Sequence, residues 1–327
     1  MIEPEIFIFA DASKKIGYGH LYRSYALYKY FISNKINCEL RTSLSRKNLI
    51  DLKIDDIKRI NPNPKSLTLK TKPKIVVLDT YRYTNDWIFF FRKLNCFIVL
   101  FDDHFKNKLK INLIINTTYF EYNQATKNRV SDSYLLGPKY SIISDFFIHS
   151  RKVHAIAKDI KKITIAIGAT DIKNNIPIVL QKLQSLPLKN IKISVLSKNR
   201  YEIKKNKKNI KFDFIWLNQK DLANHLASCD LAIIGGGTMI WQLACIGIPM
   251  IVWPQTQYQS IHADNWVDKK ALLKINSIED LSDSIDKINS MNSRLSLSRN
   301  CKNIIDGQGV RRVSSNILKC YKKEYEN

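Results

Sequence analysis

Breakers are scarce in this chain: ten glycines and nine prolines among 327 residues. With so few, a cluster of glycines is not explained by flexibility alone. Cysteine is also sparse. The six stand at 38, 96, 229, 245, 301 and 320, with no C-x-x-C pair and no Cys/His cluster at zinc spacing, which excludes a zinc module. Cys96, Cys229 and Cys245 lie in apolar runs and read as core residues, as expected in a reducing, cytoplasmic setting. No run approaches the ~18 consecutive apolar residues of a membrane-spanning helix. The longest candidate, Trp87 to Leu100, is interrupted by Arg92, Lys93 and Asn95, and Glu3 and Glu5 break any signal-peptide core. There is no D-x-D metal motif, no Ser-His-Asp arrangement and no pair of glycosidase carboxylates at a definable separation.

Acidic residues are few as well: 29 against 53 lysines and arginines, a formal net charge of +24. Such a balance favours anionic partners. The lysines are spread along the chain, and the densest run, 204–208, reads as a solvated face. No stacked-aromatic RNA motif accompanies the charge. A phosphorylated ligand is therefore favoured over nucleic acid, and the charge also suits peripheral contact with an anionic membrane. Oligomeric state is not legible.

What is present is a hydrophobic fraction of 45%, enough for real cores, and a length that suggests two domains. Apolar runs at Ile6–Phe9, Lys74–Asp79 and Phe97–Phe101 alternate with helical stretches at 20–33 and Trp87–Leu94. After a mixed segment at 141–160 the alternation restarts, with strands at 163–167, 191–196, 210–217, 231–234 and 249–253 and helices at 175–184, 222–228 and 239–246. This pattern predicts an α/β protein with two parallel-sheet, Rossmann-like domains, 1–150 and 151–327, and a last helix over 311–325. Ligands in such sheets bind beyond the carboxyl ends of the strands, where Asp11, Asp79 and Asp102 stand.

Two glycine sites follow strands and open helices. In the first, Gly17 and Gly19 allow a sharp bend before His20, and Arg23 shares a helix face with that histidine. In the second, Gly235, Gly236 and Gly237 precede a helix whose start would face a pyrophosphate, with Thr238 placed to cap the helix or bond a phosphate oxygen.

The string Ala10-Asp11-Ala12-Ser13, Ile16-Gly17, Gly19-His20 and Arg23 resembles the opening of the PseG/SpsG family, nucleotide-sugar hydrolases of pseudaminic acid biosynthesis. Asp79-Thr80-Tyr81, Phe101-Asp102-Asp103, Leu135 to Tyr140, and Asp306 to Gly309 with Arg312-Val313 resemble further motifs of that family, so the likeness runs through nearly the whole chain. It implies the GT-B architecture shared with the glycosyltransferase MurG, with the ligand in the inter-domain cleft. It implies hydrolysis of a UDP-activated deoxyamino sugar without metal or cofactor. His20 would activate or position the attacking water, and Tyr81 would orient the water or sugar. Asp11, Gly17, Gly19 and Arg23 would serve substrate binding in the first domain. Gly168, the glycine loop with Thr238, Leu217 in a segment that would supply backbone contacts to uracil, Gln242 at the ribose, and Tyr258 with Gln259 would serve it in the second.

The chain departs from the family in four places: Phe9 for an arginine, Ala169 for the second glycine of a pair, Gln242 for a glutamate, and Tyr258 for the asparagine before Gln259. An amide at 242 still bonds ribose hydroxyls, but it is not a base. The last three departures lie in the ligand-facing half. They keep open a glycosyltransferase of the same fold, passing the sugar to a glycan or lipid-linked acceptor.

Overall fold

The computed structural model describes residues 5–325, apart from 14–16, 55–56, 60–71, 81–82, 106, 119–130, 169–170, 172, 189, 198 and 202–209. The chain forms two compact units, Met1–Ser144 with Gly307–Asn327, and Asp145–Asp306.

The first unit holds a seven-stranded parallel sheet. Its strands are β1 (Ile6–Ala10), β2 (Cys38–Thr42), β3 (Lys58–Arg59), β4 (Ile75–Asp79), β5 (Phe97–Phe101), β6 (Ile111–Asn116) and β7 (Ser131–Leu136), in the order β3-β2-β1-β4-β5-β6-β7. Alternate residues of each central strand feed opposite faces. Ile6, Ile8, Ile75, Val77, Phe97 and Val99 join a cluster with Leu27 and Phe31 of the helix Gly19–Ser33. Phe7, Phe9, Val76, Leu78, Ile98 and Leu100 join a second cluster with Trp87 and Phe91 of the helix Asn85–Lys93. Burial on both faces explains why these strands read as unbroken apolar runs.

The second unit holds a six-stranded parallel sheet of β8 (Lys162–Ala166), β9 (Lys192–Leu196), β10 (Lys211–Ile215), β11 (Leu231–Ile234), β12 (Met250–Val252) and β13 (Leu273–Lys274), in the order β10-β9-β8-β11-β12-β13. In both sheets the strand order reverses beside the first strand, at β1/β4 and at β8/β11. A crevice at such a switch point is where this class of sheet binds ligands.

The division expected at 150/151 differs from the observed one. The chain crosses at 144/145, because the helix Asp145–Val153 buries Phe147 and anchors in the second unit. There Ser150 Oγ donates to the Ala223 carbonyl at 2.9 Å and Arg151 Nη1 to that of Cys245 at 3.0 Å. The last helix, Gly309–Tyr325, is not part of the second unit as expected. Its Val310, Val313 and Ile317 are buried in the same cluster as Leu27 and Phe31. Gly309 sits so tightly that an added Cβ would lie 1.9 Å from the Ser141 carbonyl oxygen, and Arg312 Nη1 donates to Lys139 O at 3.0 Å.

Candidate active site

In the first unit, the carboxyl ends of β1, β4 and β5 gather a buried polar cluster. Gly17 has φ of +80° and pairs through its backbone with Ser13, which closes the turn entering the helix. His20 is the second residue of that helix. Its Nδ1 lies 2.7 Å from Asp79 Oδ1, at the end of β4. Arg23, one turn on, donates from Nε to Asp79 Oδ2 at 2.7 Å and from Nη2 to Asp79 Oδ1 at 2.6 Å. The other edge of the same guanidinium donates from Nη1 and Nη2 to Asp103 Oδ1 and Oδ2, at 3.1 and 2.9 Å. Its face lies over the Phe101 ring, 4.5 Å from the centroid. Ser24 Oγ adds a further donor to Asp79 Oδ2 at 2.8 Å.

Asp79 is closed to solvent and His20, Arg23 and Asp103 nearly so, at 7–8% exposed. Burial alone would raise the Asp79 carboxyl. The Arg23 guanidinium and the His20 ring overcome that and hold it well below the usual carboxylate range. Burial alone would lower Arg23, and Asp103 and Asp79 push it well above its ordinary value instead. A neutral ring that carries its proton on Nδ1 would donate it to the Asp79 carboxylate and keep the lone pair on Nε2.

Asp11 holds three strand ends together. It accepts from Ser43 Oγ, just after β2, at 2.9 Å and from Thr80 Oγ1, just after β4. These contacts tie its carboxylate to the residues that follow β2 and β4. Tyr81 lies outside the described residues.

The second unit carries the glycine loop. Gly235 follows β11 and donates its N–H to Ala166 O at the end of β8, at 3.2 Å. A Cβ on Gly235 would lie 2.4 Å from Ile167 O. Gly236 has φ of +85°, and a Cβ there would press on Gln259 Cβ and Val252 Cγ1, both at 3.2 Å. Gly237 and Thr238 are exposed. Thr238 was expected to cap the helix Met239–Ile246, but it has helical dihedrals (φ −56°, ψ −18°) and its side chain caps no N–H. No acidic side chain occupies that helix's first turn. The neighbouring helix start, at Asn175, is already filled: Asp171 accepts from the N–H groups of Asn175 and Ile176 at 2.8 and 2.9 Å.

Gln259 reaches this loop from the helix Gln257–Asp268, and its Oε1 accepts from the Gln255 N–H at 2.8 Å. Tyr258 stacks on His262 with ring centroids 6.4 Å apart. Gly168, past the end of β8, has φ of +140° and open space around it. Leu217 is half-buried just beyond β10, beside an exposed Trp216, and Asn218 caps the next helix through the N–H groups of Lys220 and Asp221. Gln242 is half-buried one turn into the helix after the glycine loop.

No protein-family model matches the chain. Over 241 residues it is 27% identical to the spore coat polysaccharide biosynthesis protein SpsG of Bacillus subtilis, a match covering 69% of this chain and 70% of that protein. The structure resembles Acinetobacter baumannii MurG with a TM-score of 0.68 at 12% identity, over 97% of this chain and 100% of that one. The chain is SpsG-like, with the GT-B fold. Another solved structure of similar shape, S. aureus MnaA with UDP, gives a TM-score of 0.67 at 12% identity, over 99% of this chain and 98% of that one.

In this SpsG-like chain His20 and Arg23 share one helix face, as their spacing predicts. Asp79 and Asp103, which complete the cluster, are not among the site residues the sequence predicts. Their signal was visible, since each ends or follows a buried strand, but which carboxylate faces which helix is set by strand order. Four of the five Arg23 N–H groups are directed at the carboxylates of Asp79 and Asp103.

Proposed function

We propose that this SpsG-like chain acts on a nucleotide-activated sugar in surface polysaccharide biosynthesis, and that the reaction is hydrolysis. Water attacks the anomeric carbon of a UDP-activated deoxyamino sugar, and its proton passes to His20 Nε2. The bond to the nucleotide diphosphate breaks, releasing UDP and a free sugar bound for a pseudaminic-type acid. The observation that carries this reading is the Nδ1 of His20 held 2.7 Å from a buried, ionised Asp79, which leaves Nε2 as the acceptor.

The nucleotide half of the proposal rests on the second unit. Of two adjacent helix starts there, one is filled by Asp171 and the other, after the glycine loop, has neither acid nor cap. An uncapped start beside bare glycine backbone suits a pyrophosphate. UDP accompanies the MnaA structure, and SpsG is named for polysaccharide biosynthesis, in keeping with this ligand class.

A glycosyltransferase is the second reading. The same base would deprotonate an acceptor hydroxyl, and Gln242 and Tyr258 stand where the hydrolase family has other residues. Incubation with a panel of UDP-sugars, followed by mass analysis, separates the two. Hydrolysis gives free sugar and UDP without an acceptor. Consumption only after a glycan or lipid-linked acceptor is added overturns the hydrolase reading and favours the transferase.

A further inference from the structure

The buried cluster around His20 contains more than a base and its acid. Arg23 Nη2 has two hydrogens and three neighbours: Asp79 Oδ1 at 2.6 Å, Asp103 Oδ2 at 2.9 Å and His20 Nδ1 at 3.0 Å. Carboxylates are stronger acceptors than an imidazole nitrogen, and they take both hydrogens. His20 Nδ1 must then carry its own proton to face Asp79. If Asp103 were not there, one Nη2 hydrogen would be left for Nδ1. The ring proton would move to Nε2, and the ring would present a donor where a base is needed.

Charge gives the same answer. Arg23, Asp79 and Asp103 together carry one net negative charge against a neutral His20 ring. When the ring takes a proton the buried cluster becomes neutral. Without the Asp103 charge, the same step would place a net positive charge in a site closed to solvent, which costs free energy.

We infer that Asp103 and Arg23 are positioning residues, not substrate ligands: they fix the His20 tautomer with Nδ1 protonated and balance the charge the ring acquires. This deepens the hydrolase reading and rests on His20 being the base. Four of the five guanidinium N–H groups are directed at Asp79 and Asp103, and Phe101 covers one face of the plane, so Arg23 is not left as a phosphate clamp.

Three measurements on the full chain test this. Nitrogen-15 spectra of the histidine ring, taken without substrate, should show the Nδ1–H form for His20 in wild type. An Nε2–H ring in wild type overturns the inference, whatever the variants do. Asp103→Asn should lower kcat about tenfold with KM nearly unchanged and move the acid limb of the pH–rate profile. Asp103→Glu, which keeps the charge, should recover most of the rate. Among the described residues, Asp79 from the end of β4 and Arg23 from the same helix bond to the ring, and Asp103 acts through Arg23. In a His20→Asn background the Asp103→Asn change should have no further effect, because it acts through the ring. A tenfold loss that persists in that background, or normal turnover in a folded Asp103→Asn variant, overturns the positioning role. If His20→Asn alone turns over normally, the hydrolase reading itself has failed, which is a separate outcome.

Discussion

At the scale of single residues, Asp79 is the group most worth disturbing. Its folded-state value is depressed, so the unfolded chain binds the proton more readily, and stability falls as pH falls through that window. Its contribution is full above the ordinary carboxylate value of about 3.9 and is lost only at more acid pH. Asp79→Asn should therefore be less stable than wild type at pH 7 by an amount that stays constant down to about pH 5 and narrows below about pH 4. Urea titrations across that range read it directly. Replacing the base itself has a different signature. His20→Asn should bind UDP as wild type does but lose at least about a hundredfold in turnover, about 2.7 kcal/mol of transition-state stabilisation. Calorimetry with UDP and product assays separate the two effects, and normal turnover would remove His20 from the mechanism. The cysteines sort by burial. Burial pushes Cys229, Cys245 and Cys96 up to about 11 and Cys301 up to about 12. A thiol-specific maleimide at neutral pH should label the half-buried Cys320 first and spare these four until the chain unfolds.

At the scale of elements, the glycine loop separates structural from ligand-facing positions. Gly235→Ala drives a Cβ against the Ile167 carbonyl oxygen, which is backbone and cannot turn away, so about 1–3 kcal/mol of destabilisation is expected. Among the described residues, only Gln259 Nε2 comes as near as 3.9 Å to a Cβ added at Gly237. Gly237→Val should keep the melting temperature and weaken UDP binding at least about tenfold, or about 1.4 kcal/mol. Unchanged UDP affinity in that folded variant would move the nucleotide away from this loop. The caps show how much of an element is legible. Thr256 accepts from the Gln259 N–H, Ser277 forms a capping box with Asp280, and Ser290 accepts from the Ser293 N–H. These signals precede the helices Gln257–Asp268, Leu281–Asn289 and Met291–Ile304, whose apolar pattern is diluted by lysine, asparagine and serine. The strand Ser131–Leu136 was missed for a related reason. Among the described residues it is an edge strand that pairs only with β6, so its polar start costs little.

At the scale of the whole molecule, the chain leaves the first unit once and returns to it. The two motifs at Leu135–Tyr140 and 306–313 meet there: Gly309 packs on Ser141 and Arg312 bonds to Lys139. Removing everything after Asp306 would expose the sites of Val310, Val313 and Ile317. At about 1.5–3 kcal/mol for each buried side chain, the loss of about 4.5–9 kcal/mol rivals the whole stability of a domain. Such a truncated chain should contain an unfolded first unit, seen as early protease cleavage within 1–144. Residues 145–306, continuous in sequence with their own sheet and core, should fold alone and bind UDP within about tenfold of the full chain. Among the described residues no helix is long and apolar enough to cross a membrane.

The sequence by itself determined the parallel α/β class, the repeat of that pattern in two halves, and the two glycine turns at strand ends. These follow from apolar runs and local backbone requirements, which act over a few residues. It also placed His20 and Arg23 on one face, because helical spacing is local. Only the tertiary structure decided what those two side chains face. Asp79 and Asp103 lie 59 and 80 residues away from their partners His20 and Arg23, and strand order is what sets them beside the helix. The same holds for the last helix, which follows the second sheet in sequence but packs on the first. Its apolar stripe fits either sheet as a pattern, and the close seat of Gly309 on Ser141 fixes where the helix starts.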